Sequence, residues 1–438
     1  MPSHRLALLF LLFLTGLCLS PPRAAQAEPS LPAPPGLTVA EALARAYRNR
    51  PEIKAFAADL KSAEVKRKQA ALPPNPELGL ELDNLGGALP ADEVRETTLS
   101  LSQTIEVAGK PGARTNKVAA EILRLRHEQT TVWLDLAAEV KEAYLAVQST
   151  RERLALQLEA EQIAKELADI IHERVAAGEL AATEETRAEA RRGEATAESK
   201  KAKRLQTEAE LNLATLLSDP DLPIVTAVTG LTQEVVIPER QTLLAGVQDS
   251  PLLALRRSES KLAAAGLSLE QANAWSDPTL SLSVREIPDL DGRAVAVGVA
   301  IPLPFFQRNQ TAIAEALATE TKAAANETAA GLRLRTEVAK AHGTLVAAEQ
   351  EAHTLRSEVL SRATEAAAAV REGFRAGKFR YSDVLESSHS LVAVKIRHLD
   401  AILDLHLAAI ALDRLLGRPS LPERSQTYSS ASHDRSNP

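Results

Sequence analysis

The chain has 438 residues, 58 acidic against 51 basic side chains, one cysteine and 3% aromatic residues. A formal charge of -7 gives nucleic acid no purchase, and a lone cysteine excludes an internal disulfide or a multi-thiolate metal centre. Alanine, leucine, glutamate, arginine and lysine dominate, which reads as long helices rather than a compact mixed core.

At the start of the chain, His4 and Arg5 precede an apolar run at 6–20, and Ala25-Gln26-Ala27 suits signal peptidase. Residues 1–27 are therefore expected to be an export signal. The run is shorter than the ~20 residues a bilayer requires, which argues against a single-span anchor. Cys18 follows Leu17, where a lipid-attachment signal wants a small residue, so lipidation is not expected. No later stretch is long and apolar enough to be a transmembrane helix. Any crossing of a membrane falls to strands.

Residues 41–64 lie over 241–264 with Pro51 matching Pro251, and the register continues to Gly178 against Gly377. Chance likeness between alanine-rich helices does not align prolines, glycines and strand-like segments as well. The expected organisation is a first repeat at 28–217, an inter-repeat linker at 218–239, a second repeat at 240–417 and a flexible tail at 418–438. In the first repeat, period-two alternation marks strands at about 76–84 and 97–104. The second repeats them at about 278–286 and 293–301. Turn residues at 84–92 and 288–293 make each pair a hairpin. Helical patterns then run over 113–175 and 311–374, each about 95 Å long at 1.5 Å per residue. Helices of that length belong in a coiled-coil sheet or tube. Four strands cannot close a barrel, and lipid tolerates no open edge. Three copies would supply twelve strands, within the range of outer-membrane barrels.

The motifs ALPPNPELGLELDNLGG, LSLSQTIEVAGKPGAR and IPLPFFQRNQTAIAEA carry a resemblance to the TolC family of outer-membrane efflux factors, most like the branch serving cobalt, zinc and cadmium efflux. The resemblance implies a mainly α fold with a small β part. Two tandem repeats of long coiled-coil helices carry four barrel strands per chain, forming a homotrimeric twelve-stranded β-barrel that continues into a periplasmic α-helical barrel, with 218–239 at its equator. It implies a location in the outer membrane with a long periplasmic portion, and partners that are outer-membrane lipid, a periplasmic adaptor and an inner-membrane resistance-nodulation-division pump. The function implied is a passive duct, with heavy-metal cations as the expected cargo; a multidrug or type I secretion duct has the same fold. Many relatives carry an acylated N-terminal cysteine, which this chain is not expected to share. A soluble periplasmic coiled-coil adaptor or scaffold is the competing class. Adaptors, however, place β-rich lipoyl-like domains around a single hairpin, and this chain has two hairpins.

The resemblance also places one hairpin tip in each repeat, at about 175–185 and 374–385. Gly178 and Gly377 allow the positive φ of a tight reversal, and they are expected, with Phe374 and Ser382, to form the adaptor-docking turns. Six residues beyond each glycine stands an acid, Glu184 or Asp383, and Glu386 follows Asp383 on the same face. In the family, acids at these places narrow the periplasmic mouth. The alternative is local: Thr183 or Ser382 caps the returning helix, and an acid in its first turn complements the helix dipole. The two roles are compatible. No Walker loop, dinucleotide fingerprint or nucleophile elbow is present, so neither catalysis nor a cofactor is expected. The histidines of the body never fall three or four residues apart, so no metal site is expected either, and each of them, His172 included, reads as a solvated or interface helix residue. Trp133 reads as packing within a helix, and Trp275, just before a strand, as the better candidate for a membrane girdle.

Overall fold

The computed structural model describes residues 36–83, 96–222, 231, 235–287 and 292–418. The expected leader at 1–27, most of both hairpin turns, much of the linker and nearly all of the tail lie outside them. Helix α1 (Val39–Asn49) starts at a Thr38 cap, whose hydroxyl takes the Glu41 N–H while Glu41 takes the Thr38 N–H. Helix α2 (Pro51–Ala70) leads into strands β1 (Glu77–Asp83) and β2 (Glu96–Thr104). Then come α3 (Lys110–Ala176) and α4 (Ala182–Leu216). The second half repeats the order: α5 (Arg240–Gly246), a 3₁₀ turn (Val247–Asp249), α6 (Pro251–Asn273), β3 (Thr279–Ile287) and β4 (Gly292–Ala300). It closes with α7 (Gln310–Thr354), a π turn (Leu355–Leu360), α8 (Ser361–Arg375) and α9 (Tyr381–Leu416). The expected second long helix is therefore continuous in path but carries one π turn. No described helix is long and apolar enough to cross a membrane.

The duplication is visible in the packing. One core gathers Leu43, Ile53, Val140, Leu213 and Leu217, and a second gathers Leu243, Leu253, Val338, Leu412 and Leu416 in the corresponding places. A polar tie repeats with them. Tyr144 donates its hydroxyl to the Leu37 carbonyl at 2.7 Å, and His342 Nε2 meets the Pro238 carbonyl at 3.2 Å. Trp133 lies buried in the first core, edge-on to Tyr47. The repeats are joined where Ala138 and Leu145 of α3 pack with Leu399 and Ile410 of α9.

The strands form one antiparallel sheet in the order β1-β2-β3-β4, leaving β1 and β4 as edges. Register aligns Leu80, Leu99, Val284 and Val295 in one row across the sheet, and Leu78, Leu101, Leu282 and Val297 in the next. This face is exposed throughout; Leu78 and Val297 are 73% and 71% accessible. The opposite face is small and polar. On it an added Cβ at Gly79 would come within 2.6 Å of Ser100 Oγ, and one at Gly298 within 2.7 Å of Ser281 Oγ.

Where sheet meets helix, both long helices start from a left-handed residue, Gly109 (φ 70°) and Asn309 (φ 56°). Asn309 tolerates the conformation and donates its side-chain amide to the Glu270 carbonyl at 2.8 Å. Asp277 spans the two repeats here. Its Oδ1 accepts from the Val107 N–H at 3.0 Å, and its Oδ2 from Lys110 Nζ at 2.6 Å. Arg114 clasps Glu106 and also donates to the Ala70 and Leu72 carbonyls, tying α2 to α3.

Candidate functional site at the hairpin tips

The two reversals share one construction. After α3, the Gly178 N–H bonds the Val175 carbonyl and the Glu179 N–H the Arg174 carbonyl; after α8, Gly377 bonds Phe374 and Lys378 bonds Gly373. Each is a Schellman closure, which requires a left-handed residue just past the helix. The glycines supply it, with φ of 78° and 72°. This geometry starts the returning helices at Ala182 and Tyr381, with Ala181 and Arg380 in the cap positions. Thr183 and Ser382 accordingly fall inside the first turn and do not cap. In the second hairpin the acid itself takes the role: Asp383 Oδ2 accepts the Arg380 N–H at 2.8 Å, and Ser382 donates to its Oδ1 at 3.4 Å. Glu184 instead accepts from Arg187 at 3.1 Å.

Glu184, Ser382 and Glu386 line one groove of about 860 Å³ between α3, α4 and α9, together with Arg187, Arg191 and His389. Asp383 does not line it and stands exposed at the start of α9. Tyr381 from the second hairpin packs into the apolar cluster of the first, against Ala168, Ile171 and Ala188 with Val175 and Leu180. Burial, and then the nearby Glu184 carboxylate, push its phenol up to about 12. The Arg174 guanidinium lies 5.5 Å from the centre of the Phe374 ring, so Phe374 ties the tips together as well as ending its own helix.

Two contacts were missed in the sequence. The Phe379 ring rests on Gly373, where an added Cβ would overlap it. Across the first hairpin His172 Nδ1 meets Glu185 Oε1 at 2.7 Å, and this bond raises the imidazole above its ordinary range. Residues 172 and 185 stand nearly equidistant from Gly178, so folding the sequence about the predicted turn would have brought them together. Among the described residues no cluster of histidine, cysteine and acids is arranged to hold a metal ion.

The profile of the family described as outer membrane efflux protein matches residues 42–218 and 252–418, one segment in each repeat. The chain is 31% identical over 384 residues to the cobalt-zinc-cadmium resistance protein CzcC of Cupriavidus metallidurans, covering 87% of this chain and 90% of that one. It is 28% identical over 296 residues to the nickel and cobalt resistance protein CnrC of the same organism, covering 66% and 68%. The crystal structure of CusC, described in terms of folding and transmembrane channel formation, superposes with a TM-score of 0.73 at 17% identity, over 90% of this chain and 98% of that one.

Proposed function

This chain belongs to the outer membrane efflux protein family, and from that premise we propose that three copies form a continuous duct through which an inner-membrane pump and a periplasmic adaptor expel divalent metal cations. As a member it is an outer-membrane channel protein and not an enzyme. The observation that carries the assembly is the sheet: four strands with an exposed apolar band on one face and two unpaired edges. In lipid the apolar face is favourable and an open edge is not, because each unpaired backbone group costs several kcal/mol. Joining β4 of one copy to β1 of the next removes every edge, and three copies reach twelve strands. The small polar face then lines the lumen. Metal cargo is supported by the names borne by CzcC and CnrC.

At the far end, Glu184, Asp383 and Glu386 are the proposed gate acids, each becoming a ring of three in the assembly. The turns at Gly178 and Gly377, with Phe374 and Ser382, are the proposed adaptor contacts. Their common Schellman geometry gives the adaptor two similar knobs per copy.

Light scattering of the purified protein in detergent tests the assembly: a mass of three chains is expected, and a monodisperse monomer with protected strands refutes it. Deletion and complementation in the host, challenged with cobalt, zinc, cadmium, nickel and a drug panel, tests the cargo. Sensitivity confined to drugs refutes the metal reading.

A further inference from the structure

Among the described residues, the apolar face of the sheet is short for the membrane it has to cross. On β4 the exposed apolar row runs from Val295 to Val299, and above it the charged pair Glu286 and Arg293, 3.0 Å apart, ends the apolar surface. Four residue steps at about 3.3 Å, tilted about 40°, give only about 10 Å of height, against an apolar band of about 25 Å in outer-membrane barrels. The missing height lies on the helix side of the sheet. Beyond β4, Ile301, Leu303 and Phe305 continue the same alternation, all of them exposed, and Phe306 is 90% accessible. Counted from Val295 to Phe305, the band reaches up to about 25 Å at the same rise and tilt.

A segment outside the ladder is costly in lipid because its N–H groups lack partners. This one is built to reduce that cost. Pro302 and Pro304 carry no N–H, and the Phe305 N–H bonds the Leu303 carbonyl at 2.9 Å. At the same end of the sheet Ile105, just past β2, and Trp275, shortly before β3, are exposed as well.

We infer that residues 301–306 lie in the periplasmic-side leaflet of the outer membrane, with Phe305 and Phe306 anchoring the channel among phospholipid chains and headgroups. The membrane boundary on that side is set by this proline-rich segment and not by the end of the sheet at Ala300. The inference rests on the barrel reading above and is continuous with its lipid face. Aromatic rings suit that depth because an apolar body meets a wet boundary there.

Cys18 is the single cysteine, so Phe306→Cys in a Cys18→Ser background gives one thiol for a nitroxide label. The full-length protein, in vesicles of phosphatidylethanolamine and phosphatidylglycerol, is then probed with oxygen and with an aqueous nickel chelate. Val297→Cys serves as the lipid control and Lys378→Cys, on the second tip, as the water control. The oxygen-to-nickel accessibility ratio at position 306 is expected to lie several-fold above that at 378 and below that at 297. A ratio at 306 equal to that at 378 places the segment in water and overturns the inference while leaving the barrel intact. Shielding from both probes places Phe306 against protein and overturns it too. An aqueous reading at 297 overturns the barrel itself, and the inference with it.

Discussion

Asp277→Asn tests whether the two repeats are fastened electrostatically at the junction of sheet and helix. The Lys110 side chain is 9% exposed and that of Asp277 21%, so neither charge is well hydrated. Lys110 is also the first residue of α3, where the helix dipole disfavours a cation. Removing the carboxylate's charge leaves that ammonium buried at the positive end of a helix. Breaking a buried pair in this way costs about 3–5 kcal/mol, and the lower figure applies because the lysine stem can bend toward solvent. Asparagine keeps the acceptor for the Val107 N–H, so that bond, worth about 1 kcal/mol, survives. Lys110→Met is the milder change, at about 1–2 kcal/mol, since Asp277 retains the Val107 N–H, the helix N-terminus and the field of Arg114. The double variant should cost no more than Asp277→Asn alone, a coupling of about 1–3 kcal/mol. Guanidinium unfolding of the detergent-folded protein, followed by far-ultraviolet circular dichroism, measures all three. Equal costs for the two single variants, or strict additivity in the double, would refute the asymmetric buried pair.

Gly373→Ala should eject the Phe379 ring from its seat and speed proteolysis at Arg375 or Lys378, and Phe379→Ala in the same chain should abolish any further effect of the alanine; additive effects would show that the two residues do not share a seat. The His172 imidazole is raised by Glu185, so its contribution to the first hairpin is complete below the ordinary histidine value near 6.5 and is lost as pH rises through the raised one. Amide exchange of α3 near the tip should therefore quicken, beyond its intrinsic base catalysis, across that window in the wild type and not in Glu185→Gln. Asp383→Asn with Glu386→Gln should lower cation selectivity and divalent block in planar bilayers, with a stability loss of about 1 kcal/mol per site or less. Unchanged selectivity with a lower melting temperature would leave these acids as helix-start residues alone.

The fold was legible wherever a short period repeats. Leu78, Leu80 and Leu82 alternate with Gly79 and Glu81, and that alternation alone sets one apolar face against a small and polar one. The long helices were legible from uninterrupted pattern, and the tips from glycine. What escaped depends on contacts that no local pattern encodes. The π turn at Leu355–Leu360 consists of ordinary helix-compatible residues, and its Leu355 is buried with Ala352 and with Ala401 of another helix. Lys110 and Asp277 stand 167 residues apart and meet only once the sheet has formed. Expecting Thr183 and Ser382 to cap was reasonable from residue type. It failed because the Schellman bonds fix the length of the reversal and start each returning helix two residues earlier than a cap at either side chain would.

The repeats agree in their cores and diverge at their tips, and one pair of positions shows how. Arg174 and Gly373 each stand four residues before their turn glycine. In the second hairpin the absence of a side chain at Gly373 makes room for Phe379 of the same turn. In the first, the corresponding arginine reaches out of its own hairpin to the face of Phe374 in the other. The same backbone position thus closes one tip on itself and fastens the other to its neighbour. Tyr381 adds a second tie in the opposite direction, from the second hairpin into the apolar cluster of the first. Separating the tips would break a cation–π contact worth about 0.5–1 kcal/mol at an exposed site and uncover one aromatic ring, about 1.5–3 kcal/mol if burial were complete. Costs of that size hold the tips together in isolation and remain within reach of a partner that binds the separated arrangement more tightly. Neither tie is reciprocated, because Gly373 presents no cation to the first tip and Ala182, the counterpart of Tyr381, presents no ring to the second.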